Sequence, residues 1–347
     1  MKNTEIGSIT SERDGSGPKS WAESHWHKTD ATMYPTSVGV FNDVKKCVSE
    51  YVQTGHVPSN PVLSANGNVV TIGSCFAAEL RHFLTSAGLS SNSFWIPSGL
   101  NNTFALRDFL SWVITGEETS QGYRYERNSD GNVTDWKPEF ERSFYLEQFK
   151  SASAFVFTLG LAEIWQDKFT GKVFWRGIPE SIFDQERHEF RLSSVAENSE
   201  NISEIIKLLN QVNQSAPVIF TLSPVPLKAS FQKTACLTAD CVSKSILRVA
   251  LHEALEKSPQ NTYYWPSFEI VKWLGCHLPY PVYGTDDGVV RHVSRYMVLQ
   301  ILSAFIDAYY GKAIGEKVFE NFESSLVEIE GQAGEPPIIY KGTLVSA

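Results

Sequence analysis

Four short runs of β-forming residues punctuate the chain, and each is followed by a segment whose apolar positions recur at helical spacing. The runs are Val69–Gly73, Phe155–Gly160, Val218–Ser223 and Thr262–Pro266. Phe155-Val156-Phe157-Thr158-Leu159 and Val218-Ile219-Phe220-Thr221-Leu222 are almost continuously apolar. That pattern suits strands buried on both faces of a parallel sheet better than strands with one face in water. A weaker strand candidate lies at Asn92–Ile96. Helices are expected over Thr103–Ile114, Ser199–Gln211, Asp240–Glu256 and Ser294–Tyr310; in the last, Val298, Ile301, Leu302, Phe305 and Tyr309 make one apolar stripe. Strands alternating with helices predict an α/β protein, a doubly wound three-layer α/β/α sandwich around a mostly parallel, five-stranded sheet.

The flanks read differently. Residues 1–20 are polar, charged and Gly/Ser-rich, and are expected to form a flexible tail. Residues 21–64 carry Trp21, Trp26 and Tyr34 among polar positions, a short helix at Val44–Val52 and a loop with Pro58 and Pro61. They read as a segment docked on the domain that spans 65–312. Inside that domain, 116–145 and 165–192 do not fit a minimal sandwich and read as insertions at the carboxyl edge of the sheet. The second of them holds Trp165, Phe169, Phe174, Trp175 and Phe190. Residues 313–347 form a C-terminal extension.

Composition narrows the partners. The chain has 347 residues, a formal net charge of −9 and a pI near 5.5. An acidic balance without a basic stripe argues against nucleic acid or an anionic membrane surface. The first residues hold no apolar stretch of signal-peptide length and no later run is long enough to span a bilayer, so a cytoplasmic location is expected. Cys47, Cys75, Cys236, Cys241 and Cys276 are odd in number and include no Cys-x-x-Cys, which predicts free thiols. No histidine or carboxylate stands at metal-ligand spacing beside them, so neither a metal nor a redox cofactor is expected.

The chemistry is expected at the strand ends. Val69-Val70-Thr71-Ile72 closes on Gly73-Ser74-Cys75, and an amphipathic helix begins at once with Phe76-Ala77-Ala78-Glu79-Leu80. A strand, tight turn and helix in this order put a small nucleophile at the rim of a sheet, facing the unpaired amides of the first helical turn. Those amides are expected to favour the thiolate. The same geometry also arises around a cysteine that only packs. The other strands end at Gly160-Leu161-Ala162-Glu163 and Ser223-Pro224-Val225-Pro226, and Asp286-Asp287-Gly288-Val289-Val290-Arg291-His292-Val293-Ser294 precedes the last long helix. In a parallel sheet all carboxyl ends share one edge, so these distant segments are expected to meet there.

With these motifs in order the chain resembles the GSCFA-domain family, whose signature stands here as Gly73-Ser74-Cys75-Phe76-Ala77. The resemblance runs through Thr158-Leu159-Gly160-Leu161-Ala162-Glu163, Leu222-Ser223-Pro224-Val225-Pro226, Ser243-Lys244-Ser245-Ile246-Leu247-Arg248, Tyr264-Trp265-Pro266-Ser267-Phe268-Glu269 and Arg291-His292-Val293-Ser294, over about residues 65–310. That family looks like a branch of the SGNH (GDSL-type) hydrolase superfamily, which implies a flavodoxin-like sandwich. The resemblance places Cys75 where such enzymes carry their serine. It sets Ala162 in the place of an oxyanion-hole asparagine, and His292 in the place of the base, with Val289 three residues before it where an acid is usual.

The implied site is Cys75 as nucleophile and His292 as base, since imidazole titrates in the range such a base needs. Asp287 is the candidate to orient His292, with Asp286 as substitute, although Asp-Asp-Gly also suits a plain turn and a Cys–His dyad needs no acid. Ser74 is expected to cap the helix or donate into the site. Asn102 is either an N-cap or the replacement for the missing asparagine, and Gly160 could lend an amide to the same oxyanion. Glu163 reads as an anchor, and Arg176 as a ligand contact or a surface ion pair. The expected function is SGNH-like acyl hydrolysis or acyl transfer through a thioester on Cys75. Its substrate would be a small-molecule or glycan acyl compound, with an acyl thioester as a possible donor. The alternative is a binding protein that keeps the fold without turnover.

Overall fold

The computed structural model describes residues 6–7, 11–12, 18–19, 26–27, 34–35, 37–92, 100–117, 125–127, 130–138, 140–258, 260–286, 288–323, 326–328 and 338–340. The chain divides into two compact units, Met1–Asn42 and Asp43–Ala347. In the first, Ile6–Gly7 pairs antiparallel with Trp26–His27, Ser11–Glu12 pairs with Pro18–Lys19, and Val38–Asn42 makes a 3₁₀ turn.

The second unit is built on four parallel strands: β1 (Val69–Gly73), β2 (Ala154–Leu159), β5 (Val218–Leu222) and β6 (Thr262–Trp265). Their order across the sheet is β6-β5-β2-β1. Between β2 and β5 the chain makes an antiparallel hairpin of β3 (Glu163–Asp167) and β4 (His188–Leu192). The expected fifth strand is not confirmed among the described residues, because 93–99 lie outside them. Ser91 does bridge Val69 in the parallel sense, and the Asn92 N–H donates to the Val69 carbonyl at 3.1 Å. Chain therefore begins to pair on the free edge of β1, the place of the second strand in a 2-1-3-4-5 sheet.

The long helices are α1 (Cys75–Ser86), α2 (Thr103–Thr115), α3 (Arg142–Lys150), α4 (Val195–Val212), α5 (Cys236–Lys257), α6 (Arg295–Tyr310) and α7 (Lys312–Glu323). Period two along the strands splits the core. Val70, Ile72, Phe155, Phe157, Val218, Phe220 and Tyr264 share a buried cluster with Leu106 and Phe109 of α2, Ile202, Ile205 and Leu209 of α4, and Leu247 and Leu251 of α5. The intervening positions Val69, Thr71, Val156, Thr158, Ile219 and Thr221 are buried as well. On that face Trp265 of β6 meets Phe305 and Tyr309 of α6, with ring centroids 5.4 and 6.1 Å apart. Burial of both faces accounts for the unbroken apolar runs. Among the described residues no helix is long and apolar enough to cross a membrane.

Candidate functional site

The junction after β1 follows from one glycine. Gly73 has φ +136°, and a Cβ there would stand 2.2 Å from the Thr158 carbonyl oxygen of β2. Only glycine permits that approach in that conformation. The chain turns, the Ser74 N–H donates to the Thr158 carbonyl at 3.1 Å, and the Ser74 hydroxyl accepts the Phe76 N–H at 3.3 Å as N-cap of α1. Ser74 is therefore a cap. Cys75 is the first residue of α1 and is exposed, and its own N–H donates to no described residue.

Cys75 lines a hollow with Glu79, Val225, Asp286, His292 and Arg295, enclosing about 600 Å³ with its open mouth. His292 is held by its backbone: its carbonyl accepts the Gly284 N–H and its N–H donates to the Val289 carbonyl, both at 2.9 Å. Tyr283 and Arg291 tie the same loop to the turn after β5, donating to the carbonyls of Pro224 at 2.8 Å and Pro226 at 3.4 Å. Across the hollow, Glu79 of α1 pairs with Arg295 of α6, 216 residues away in sequence. Asp286 accepts the Arg295 N–H and the Thr285 hydroxyl, the latter at 3.0 Å, and so caps α6 together with Ser294. Asp287, the first candidate to orient His292, lies outside the described residues.

The thiol departs from the expectation of a resting thiolate. Its pKa is pushed up from the ordinary cysteine value, first by desolvation in the hollow and then by the Glu79 carboxylate. Arg291, the Phe76 amide and Lys244 pull it down by less. The Phe76 amide at the helix N-terminus and the nearby cations offset only part of this rise.

The turn after β2 corrects the expected oxyanion groups. The Gly160 N–H donates to the Asn101 carbonyl at 2.6 Å, so it is not free for a substrate. The Ala162 N–H donates to Ser243 Oγ at 2.8 Å, and the Ala162 carbonyl accepts both the Ser193 hydroxyl at 2.7 Å and the Ser193 N–H at 2.9 Å. Ala162 is fully buried in the core cluster. Asn102 is committed too: its Oδ1 accepts the Ala105 N–H at 2.9 Å as N-cap of α2, and its Nδ2 donates to the Trp175 carbonyl at 3.2 Å. Neither Gly160 nor Asn102 lines the Cys75 hollow.

Asn102, Glu163 and Arg176 instead line a second hollow of about 860 Å³ including its mouth, together with Asn101, Trp165 and Phe231. Glu163 anchors its wall: Oε1 accepts the Ser230 hydroxyl and the Gln232 amide, each at 2.7 Å. These bonds bracket Phe231, which is 69% exposed and lies edge-on to Trp165 with centroids 5.0 Å apart. Arg176 is exposed at the rim of this second hollow rather than near the thiol.

Three residues were not singled out for the site by the sequence. Asn101 carries a side-chain amide without a hydrogen bond among the described residues, packed tightly against Gly160. The Asn101-Asn102 pair hides which one caps α2; the register to Ala105 decides it. Glu79 sits one turn into α1 and Arg295 is the first residue of α6, a placement visible only once the two helices are known to meet. Among the described residues no three His, Cys, Asp or Glu side chains converge as metal ligands.

The geometry defines an open parallel α/β protein whose candidate site lies where the carboxyl ends of β1 and β5 meet the loop before α6. Residues 68–305 match the GSCFA family, and the chain belongs to it. No curated protein matches the chain. Among solved structures, it is similar to a carbohydrate esterase family 2 enzyme with a carbohydrate-binding domain from Corynascus thermopiles (Myceliophthora fergusii), with 14% identity over 76% of this chain and 69% of that one and a TM-score of 0.29. It is also similar to an acetyl xylan esterase from the rumen bacterium Butyrivibrio proteoclasticus, with 10% identity, 72% and 64% coverage and a TM-score of 0.33.

Proposed function

We propose that the protein is an SGNH-type acyl-transfer enzyme, a hydrolase or acyltransferase, that works through a thioester on Cys75. The observation that carries this reading is that Cys75, at the free N-terminus of α1, shares one hollow with His292. His292 takes the Sγ proton, and the sulfur attacks the acyl carbonyl. The Cys75 N–H donates to the oxyanion that forms, since among the described residues nothing occupies that donor. Collapse expels the leaving alcohol or thiol, which takes the proton from His292 and leaves an acyl thioester on Sγ. Water, or an acceptor hydroxyl, then gives its proton to His292 and attacks the thioester, and the thiol is restored. Asp286 or Asp287 holds the imidazole in register. No redox step or metal enters this sequence.

The second hollow takes the remainder of the substrate. Trp165 and Phe231 offer apolar ring surface and Asn101 and Arg176 offer donors, a mixture suited to a glycan or another polyhydroxylated acyl carrier. An acyl thioester is the donor if the reaction is transfer, and the cytoplasm is the compartment in which both substrates and a reduced thiol would be met.

One observation favours the rival reading of a binding protein: the Gly160 and Ala162 N–H groups of the turn after β2 are bonded within the protein, to the Asn101 carbonyl and Ser243 Oγ, and not available to an oxyanion. Incubation with p-nitrophenyl acetate followed by rapid quench and intact-mass measurement separates the two. The enzyme reading expects one acetyl adduct, mapped to Cys75 and absent from Cys75→Ala. No adduct on Cys75, with the protein folded, would favour the binder.

A further inference from the structure

The carboxylate in the second hollow has no counter-ion. Glu163, the first residue of β3, is 7% exposed and lines that hollow. Its Oε1 accepts the Ser230 hydroxyl and the Gln232 amide, both neutral donors. Among the described residues its Oε2 accepts no hydrogen bond, and no Lys, Arg or His forms an ion pair with it. Oε2 is not sealed in protein either, since no fully buried, unpartnered atom belongs to Glu163. A carboxylate so buried is costly unless a positive charge or further donors complete it. The other charged side chain on the described lining, Arg176, is exposed at the rim.

The rest of the wall suits a cation too. Trp165, Phe190 and Phe231 form a three-ring cluster, with centroids 5.6 Å apart for Trp165–Phe190, 5.5 Å for Phe190–Phe231 and 5.0 Å for Trp165–Phe231. Phe174 and Trp175, both buried, line the same hollow. Aromatic faces attract ammonium groups, and apolar surroundings strengthen an ion pair by excluding water. A neutral polyol could use the rings and the Asn101 side chain, but it would leave the buried negative charge uncompensated. The hollow is also joined to the thiol. Val225 lines the Cys75 hollow, while Leu227, Ala229 and Phe231 line the second, so one stretch of chain borders both. Asp240 steadies its middle by accepting the Leu227 N–H at 3.0 Å.

We propose that the second hollow is a site for an organic ammonium group, with Glu163 Oε2 as its counter-ion and Trp165, Phe190 and Phe231 as its apolar wall. The non-acyl part of the substrate is then a carrier with a protonated or methylated amine, such as an amino alcohol or an amino sugar. The proposal rests on reading the second hollow as the place of the substrate's remainder, and it narrows that remainder by charge.

The test is titration of the full chain with ligand pairs matched in shape and different in charge. Choline is set against 3,3-dimethylbutan-1-ol, and glucosamine against glucose, at mildly acidic pH where glucosamine is protonated. Binding is read from the ¹H–¹⁵N indole resonance of Trp165, assigned by its loss in Trp165→Phe. In at least one pair the cation is expected to bind at least about tenfold more tightly than its neutral partner. Glu163→Gln is expected to abolish that preference. Glutamine keeps an oxygen to accept from Ser230 and Gln232 while it removes the charge, so the wall is left in place. Equal affinities or no binding in both pairs would overturn the proposal, and so would a preference that survives Glu163→Gln. If that variant does not fold, NOEs from the bound cation to the Trp165 ring of the wild type decide, and their absence refutes the site. Binding is measured without an acyl donor, whereas acyl transfer is read as an adduct on Cys75, so each can fail while the other stands.

Discussion

The turns after β1 and β2 lie side by side in the sheet and are built in opposite ways. After β1, Gly73-Ser74-Cys75 leaves the Cys75 side chain exposed and its N–H unengaged. After β2, Gly160-Leu161-Ala162-Glu163 has the Gly160 and Ala162 amides, both of their carbonyls and the Glu163 carboxylate held by Asn101, Ser243, Lys244, Ser193, Ser230 and Gln232. The first turn keeps groups available for chemistry, and the second holds a wall in place. Buried polar networks that are fully satisfied make rigid, specific structure. A reactive residue needs that rigidity beside it rather than within it.

Substitutions that exchange these properties are the means to break the contrast. The largest effect is expected from Gly73→Ala. The new Cβ would collide with the Thr158 carbonyl at a φ that alanine rarely adopts. A loss of roughly 3–5 kcal/mol is expected in urea unfolding; a loss below about 1 kcal/mol would show that the first turn is not held by its glycine. Ser243→Ala touches only the second turn, where it orphans the buried Ala162 N–H. A loss of about 1–3 kcal/mol is expected, with the Cys75 alkylation midpoint unmoved. A shifted midpoint in this uncharged variant would mean that the second turn governs the thiol through shape, and the contrast would fail.

The same contrast explains what could be read from the sequence. Apolar runs marked all four sheet strands within a residue or two, because both faces are buried and no alternation confuses them. Gly73-Ser74-Cys75 was legible because a glycine, a capping hydroxyl and a helix onset sit together in the chain. The β3–β4 hairpin was not. Every residue of β4 is half-buried, so it has neither an apolar run nor a clean alternation. Helix α3 was missed because only Tyr145 and Phe149 of its nine residues are buried, a single pair at helical spacing. At the site, Cys75 and His292 could be placed at one hollow through the rule that parallel strands end on one edge. Asn102 and Gly160 could not be judged, because their roles depend on hydrogen bonds they donate to the carbonyls of Trp175 and Asn101, which no local pattern encodes. Lys244 did leave a trace, a lysine at a position of α5 that helical spacing aligns with Leu247 and Leu251.

The central claim is that Cys75 and His292 act as a pair, and it is tested most directly by the rate of Cys75 alkylation across pH in the wild type and in His292→Ala. Desolvation and the Glu79 carboxylate push the thiol pKa up from the ordinary cysteine value. Without its base, the variant is expected to alkylate Cys75 at least about tenfold more slowly near neutral pH. The two profiles should converge at high pH, where the thiolate forms unaided. Cys241 and Cys276, which are exposed and do not line the Cys75 hollow, should label equally in both proteins. Superimposable Cys75 profiles, with His292→Ala folded, would contradict the account.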